Sequence, residues 1–562
     1  MPAVSVPPST PVPPPAPNAN TGKKGLSGGA ARATGLTIGL VLFSRLLGVI
    51  RDMVLTTQFG QNENTTIFGA AFRVPDLIAL VIAGGALSSV FVPVFTQYWN
   101  DGKEEESWKV FGSITSIAAV VVAGLVILLE LGALPLTHLL NPKFTSDYAI
   151  LNTTRFSRIL LPAQWFLLVG GLVMGTLYAR KRFLVPGLAP LLYNMGQIIG
   201  GIIGGMLHPQ SIDGLAFMAW GATLGAFAGS IVLPCWDLWR SRAPFRFSLD
   251  TSHPGVRRVG VLMVPVLLGQ SLGPLNIWMT GLFTGEDARF SAFRIAYNLT
   301  QAPIGIFAQA FAIVLLPTIS ALASKQDWPA FRSAVSDGLR RVLFLTMPAS
   351  TLMAALSYSL IRIFFKGGHF SENDVPLAAN ALIGYSLATF AWSGSSILQR
   401  GFWAIQDTRT PIYITTPLVF AFLGTGWLYS TMDPQGSIGF PLATSFYGTV
   451  SMVLFLFLLN RRLRQDEGGG LDISEIIVSA RRILLASLLS GAVAYGVSRL
   501  LEQHLPLTKF GSMLVVVTAG GIGILVYAAL AFLFRMPELR GIRDMFRRRS
   551  AVSTDAGTSA PE

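Results

Sequence analysis

The sequence predicts an all-α polytopic membrane protein of about fourteen transmembrane helices, built as two pseudo-symmetric six-helix lobes plus two extra C-terminal helices. Three observations carry this. Of 562 residues, 51% are hydrophobic and 13% charged, with a mean hydropathy of +0.55; soluble domains carry about 25% charged residues. Apolar stretches long enough to span a bilayer, which takes about 20 residues, follow one another along the chain. Finally, Phe72-Arg73-Val74 with Ala86–Pro93 reads like Phe293-Arg294-Ile295 with Ala310–Pro317, and Tyr178-Ala179 with Pro186 reads like Trp403-Ala404 with Pro411. Six plus six spans keep one orientation, so the repeats would be related by an axis along the membrane normal.

In order, residues 1–30 are rich in Pro, Ala, Ser and Gly and read as a disordered cytoplasmic tail, without the basic start and apolar centre of a signal peptide. The expected spans are 34–59, 66–97, 109–138, 149–179, 183–207 and 213–239, forming an N-terminal lobe over 31–245. Those at 257–283, 288–322, 334–365, 376–405, 411–430 and 436–460 form a C-terminal lobe over 250–463. Two more, 474–501 and 509–535, make an added pair over 470–536, which suits a lipid tail or a structural contact; 537–562 is a basic cytoplasmic tail.

The charge balance of +13 first suggests nucleic acid, but its placement points to topology. Alternate loops hold Arg180-Lys181-Arg182, Arg240, Arg242, Arg246, Arg257, Arg258, Arg461, Arg462 and Arg464, and the tail holds Arg547-Arg548-Arg549. The opposite loops carry Glu63, Asp213, Glu286-Asp287, Glu372, Asp374 and Asp433. By the positive-inside rule both termini face the cytoplasm, and no nucleic-acid partner is expected. One cysteine, Cys235, excludes an internal disulfide, and five scattered histidines offer no metal spacing. No P-loop, nucleophile elbow or HExxH pair marks an enzyme, and no cofactor is expected.

The charges inside the spans are the functional signal. Each costs about 2.5–3.5 kcal/mol at bilayer depth, so such residues face a protein interior or a watery cavity. Span 1 carries Ser44, Arg45, Arg51 and Asp52; span 2 carries Arg73 and Asp76, one turn apart; span 8 carries Arg294 and, one turn on, Asn298. Arg45, Arg51, Arg73 and Arg294 are expected to converge on one central cavity, with Asp52 and Asp76 partly neutralising Arg51 and Arg73. Arg155, Arg158 and Arg400 read as interfacial.

The motifs Ser44-Arg45-Leu-Leu-Gly48-Val-Ile-Arg51-Asp52, Phe72-Arg-Val-Pro75, Ala86–Phe95, Pro303-Ile-Gly-Ile-Phe307, Leu315–Ser320, Leu339–Pro348 and Arg400–Pro411 together resemble the MurJ (MviN) family of lipid II flippases, within the multidrug/oligosaccharidyl-lipid/polysaccharide exporter superfamily. The resemblance covers roughly 35–465. It implies a two-lobed carrier with a cationic cavity, in which the last two helices form a groove for an undecaprenyl tail. The substrate would be an undecaprenyl diphosphate-linked peptidoglycan precursor, moved between leaflets by alternating access for cell-wall biogenesis, with membrane lipids and the cell-wall synthesis machinery as partners. Arg45 and Arg51 match the family's arginines of helix 1.

The chain departs from the pattern at four places. The family's helix 2 arginine falls at Ala79 and its helix 8 arginine at Asn298, with Arg294 one turn away; a glutamate is replaced by Gly84, and an aspartate of a sodium site by Thr280. No sodium site is therefore expected. The rival readings are an exporter of another lipid-linked glycan or a small drug, and a non-transporting membrane scaffold.

Overall fold

The computed structural model describes residues 28–82, 86–180, 182, 184–270, 284–285, 287–407, 409–432, 436, 438–466 and 469–539. Their regular structure is helical, with one isolated bridge between Gly367 and Phe370. In a bilayer each unmet backbone group costs several kcal/mol, which leaves helices as the economical form for these stretches.

Helix lies in every expected span. These are α1 (Gly28–Phe59), α2 in three pieces (Glu63–Ala70, Arg73–Ile82, Ala86–Asn100), α3 in two (Glu104–Leu131, Ala133–Leu140), α4 (Asp147–Ala179) and α5 (Leu184–Leu207). Next, α6 runs Ile212–Phe227, passes a π turn at Ala228–Val232 and ends as Leu233–Arg240; α7 is described over Pro254–Gln270. Helix α8 is Arg289–Pro303, a π turn at Ile304–Gln309, and Ala310–Ser324. Helix α9 (Trp328–Ala355, then Ser357–Phe365) bends by 78° at its break. There follow α10 (Val375–Ser386 and Thr389–Ala404), α11 (Arg409–Met432), α12 (Gly439–Asp466), α13 (Ile473–His504) and α14 (Lys509–Leu533). Among the described residues eight helices are long and apolar enough to cross a membrane, and α9 makes a ninth if its two pieces count as one span.

The helix starts are chemically marked. Asn62 and Thr65 form a capping box before α2, and the side chains of Ser146, Ser211, Asp327, Asp472 and Thr508 accept backbone N–H groups at the starts of α4, α6, α9, α13 and α14. Each satisfies a donor that the helix itself cannot.

The buried apolar side chains fall into two sets. Leu55, Phe68, Phe156 and Met218 form one cluster and Phe91, Phe95, Trp108 and Phe111 another, both from the first 260 residues. The second set gathers Phe293, Phe365, Tyr385 and Phe440, and separately Leu339, Phe402, Phe455 and Ile483. Val256 and Val259 of α7 pack with the Phe91 cluster, so the start of α7 leans on α2 and α3. Large apolar side chains also lie outside: Leu131 is 78% and Phe532 77% exposed, as suits a lipid-facing exterior.

Helices α5 and α6 meet backbone to backbone. A Cβ on Gly196 would come within 2.1 Å of the Gly221 carbonyl oxygen, on Gly200 within 2.2 Å of that of Phe217, and on Gly204 within 2.1 Å of that of Gly214. Only glycine allows this approach.

At the Thr57 end of α1 the two sets are bridged. The His369 N–H donates to the Thr57 carbonyl at 2.9 Å, and the His369 ring pairs with the Gln210 amide. Gly368 holds φ +56° beneath the same carbonyl, where a Cβ would stand 2.1 Å from the oxygen. The Thr66 hydroxyl donates to the Asp287 carbonyl at 2.7 Å.

Candidate anion site between helices 1 and 8

The charged flank of α1 faces α8, and the two helices run antiparallel here: Arg45 meets Gln301, and seven residues later Asp52 meets Asn298 and Arg294. Asp52 is the hub. It is 1% exposed and accepts from Arg51 Nε and Nη2 at 3.1 and 2.9 Å and from Asn298 Nδ2 at 2.8 Å, with Arg294 Nη1 at 3.7 Å. A buried carboxylate needs such company, because desolvating an unpaired charge costs several kcal/mol.

The carboxylate does not use up the arginines. Arg294 Nε and Nη2 are buried without a hydrogen-bond partner among the described residues. Arg45 gives Nη1 to the Gln301 carbonyl at 3.2 Å and has no carboxylate contact among the described residues. Arg51 and Arg294 thus flank one carboxylate and Arg45 lies two turns away on the same helix, an excess of two positive charges among these described residues, with donors to spare. Guanidinium forks match phosphate oxygens bidentately, so the group is chemically an anion receptor.

Six of the eight residues expected at the site lie along this crossing. Ser44 does so through its carbonyl, which accepts from Asn194 Nδ2 at 3.4 Å, rather than as a side-chain donor. The other two make no hydrogen bond or ion pair with this group among the described residues. Arg73 is 3% exposed, bonded to the Leu140 carbonyl at 3.3 Å and to Asn141 Oδ1, with its guanidinium 4.4 Å from the Phe290 ring centroid. It begins the second piece of α2, after the break at Ala71–Phe72. From there it reaches the C-terminal carbonyl end of Ala133–Leu140, where a helix dipole favours a cation. Asp76 is exposed in the first turn of the same piece, and the two form no ion pair among the described residues, against expectation. Of the residues read as interfacial, Arg155 pairs with Asp213 at 2.7 Å and Arg158 approaches Glu130 at 4.0 Å.

Sequence reasoning missed Asn194. From α5 it accepts from Arg51 Nη1 at 3.4 Å and donates to the carbonyls of Ser44 and Pro190. An amide in the middle of an apolar span was the available signal. Among the described residues no group of three or more His, Cys, Asp or Glu could hold a metal ion. Thr280 and Gly84 lie outside the described residues, as does the Ala79 side chain.

Comparison with known proteins places the whole architecture. The chain is 26% identical to a probable lipid II flippase MurJ of Synechocystis over 89% of its own length and 96% of the relative's. It is 25% identical to the lipid II flippase MurJ of Burkholderia cenocepacia over 79% and 87%. A solved structure of a lipid II flippase MurJ in an inward closed conformation superposes with TM-score 0.71 at 22% identity, covering 89% of this chain and 99% of that one. An inward-facing multidrug resistance MATE family transporter of the MOP superfamily superposes at 0.62 and 12% identity, covering 76% and 98%, so the fold extends beyond one family. The family model described as lipid II flippase MurJ matches residues 55–515, most of the chain, and the protein therefore belongs to that family of multi-span membrane transporters.

Proposed function

We propose that the protein is a flippase for lipid II, carrying this undecaprenyl diphosphate-linked peptidoglycan precursor from the inner to the outer leaflet of the bacterial cytoplasmic membrane. The observation that carries the reading is the excess of arginine over carboxylate where α1 crosses α8, with buried Arg294 donors left open among the described residues. A diphosphate offers oxygens to Arg45, Arg51 and Arg294 together and replaces the hydration it sheds. The chemistry is recognition and passage, with no bond made or broken.

The residues 31–245 and 250–463 act in this reading as two lobes that rock about the site; most of the apolar clusters keep to one side, while the start of α7 packs on the first lobe through Val256 and Val259. Helices α13 and α14, over 470–536, give the lipid tail its groove. Both termini are cytoplasmic, in keeping with the arginine-bearing loops. The bridged Thr57 end of α1 then faces outward, so this state is closed to the outside. Cell-wall synthesis enzymes that take up the flipped product are the natural partners.

The test is replacement of the resident lipid II flippase in a depletion strain, with flipping followed in reconstituted vesicles. The wild-type chain should restore growth. Arg51→Ala should lose about 10- to 150-fold in lipid II affinity, since a charge-assisted contact is worth about 1.5–3 kcal/mol. Arg51→Lys should recover little, because a point charge cannot reproduce the fork. Transport of a drug or another lipid-linked glycan without lipid II would replace this reading, and full activity of Arg51→Ala would remove the site from it.

A further inference from the structure

The π turn of α8 sits where Arg45 of α1 comes to rest. A Cβ on Gly305 would stand 2.5 Å from Arg45 Nε and 2.8 Å from both Cδ and Cζ. The guanidinium therefore lies flat on the bare backbone of α8. Its anchor is the Gln301 carbonyl, at 3.2 Å from Nη1, which also accepts from Ile304 N–H three residues on. Pro303 brings no N–H of its own, and the π turn over Ile304–Gln309 shifts the helix ladder. The ladder is disturbed on the turn that presents this carbonyl outward.

We propose that Gly305 is a positioning residue for Arg45: its missing side chain is the seat that holds the guanidinium against α8, tied to a neutral carbonyl with its charge left for the substrate diphosphate. Arg51 makes the contrast, since its fork is spent partly on Asp52. The inference rests on the flippase reading for the identity of the anion, though the seat itself rests on geometry. The group a Cβ would meet is the far end of a flexible side chain rather than backbone. Alanine is also a better helix former than glycine. The fold should therefore tolerate the substitution while Arg45 moves off its place.

The experiment uses the full-length protein in detergent, as wild type, Gly305→Ala, Arg45→Ala and the double variant, with lipid II as the probe for binding and a melting curve for each. Arg45→Ala should weaken lipid II binding by about 10-fold or more. Gly305→Ala should approach that loss while Arg45 is present and add nothing once Arg45 is gone. Unchanged affinity in Gly305→Ala, or the same loss in both backgrounds, overturns the seat. If Arg45→Ala leaves lipid II binding intact, it is the diphosphate reading that fails. The melting curves then still decide the seat: it requires the alanine to shift the melting temperature differently in the two backgrounds, and equal shifts reject it.

Discussion

Asn298 on α8 donates to the Asp52 carboxylate on α1 at 2.8 Å, so the carboxylate that neutralises Arg51 also joins the two helices. Asp52→Asn would leave Arg51 and Arg294 facing each other across a neutral amide. Removing one partner of a buried pair costs about 3–5 kcal/mol, whereas Asn298→Ala removes one hydrogen bond to a charge, about 1.5–3 kcal/mol. Melting of the purified variants should rank wild type above Asn298→Ala above Asp52→Asn. A wild-type melting temperature in Asp52→Asn would show that the carboxylate does not hold the crossing together.

Arg73 should behave differently from Arg51. Its contacts among the described residues include a helix-terminal carbonyl, the Asn141 side chain and the Phe290 face, all protein groups. Arg73→Ala is expected to cost about 1.5–3 kcal/mol in stability and to lower the amount of folded protein in membranes. The molecules that do fold should bind lipid II normally. Weakened binding at an unaltered melting temperature would return Arg73 to the site.

The bridge over the Thr57 end should have to open during each cycle. A Cβ placed on Gly60 would lie 3.5 Å from that of His369, within the span of a disulfide of about 3.5–4.5 Å. Gly60→Cys with His369→Cys, in a Cys235→Ser background, should stop flipping when oxidised and resume it on reduction. Comparing the two redox states of one variant cancels the strain of a side chain at Gly60, where φ is +78°. Undiminished transport by the fully oxidised protein would mean that this contact is not part of the gate.

The α1 motif made half of the candidate site legible in advance, because charge in an apolar span has few places to go and Arg45, Arg51 and Asp52 share a flank. The pairing of Arg73 with Asp76 was misread for an equally physical reason. Both residues lie in the one helical piece Arg73–Ile82, so their spacing holds, but the carbonyl end of Ala133–Leu140 competes for the guanidinium. Asn194 offered only its amide in an apolar span as a signal, and Gln301 and Gly305 offered none. One acts through an amide, one through a backbone oxygen and one through an absent side chain, and each depends on which helices cross.

The glycine seam of α5 and α6 governs how motion at the site can travel. Two backbones in direct contact have no layer of side chains between them to compress or repack. Asn194 lies two residues before Gly196 on that seam, and Asp213 at the far end of α6 is tied to Arg155 of α4. A displacement of Arg51 that pushes Asn194 should therefore move α5 and α6 together, while the exposed Arg155–Asp213 pair couples them only weakly to α4. The π turn at Ala228–Val232 continues the contact, since a Cβ on its Gly229 would stand 2.7 Å from the Ala189 carbonyl oxygen of α5 and one on Gly170 of α4 would stand 2.1 Å from that of Ser230, so the turn is clamped between α4 and α5 and moves with them.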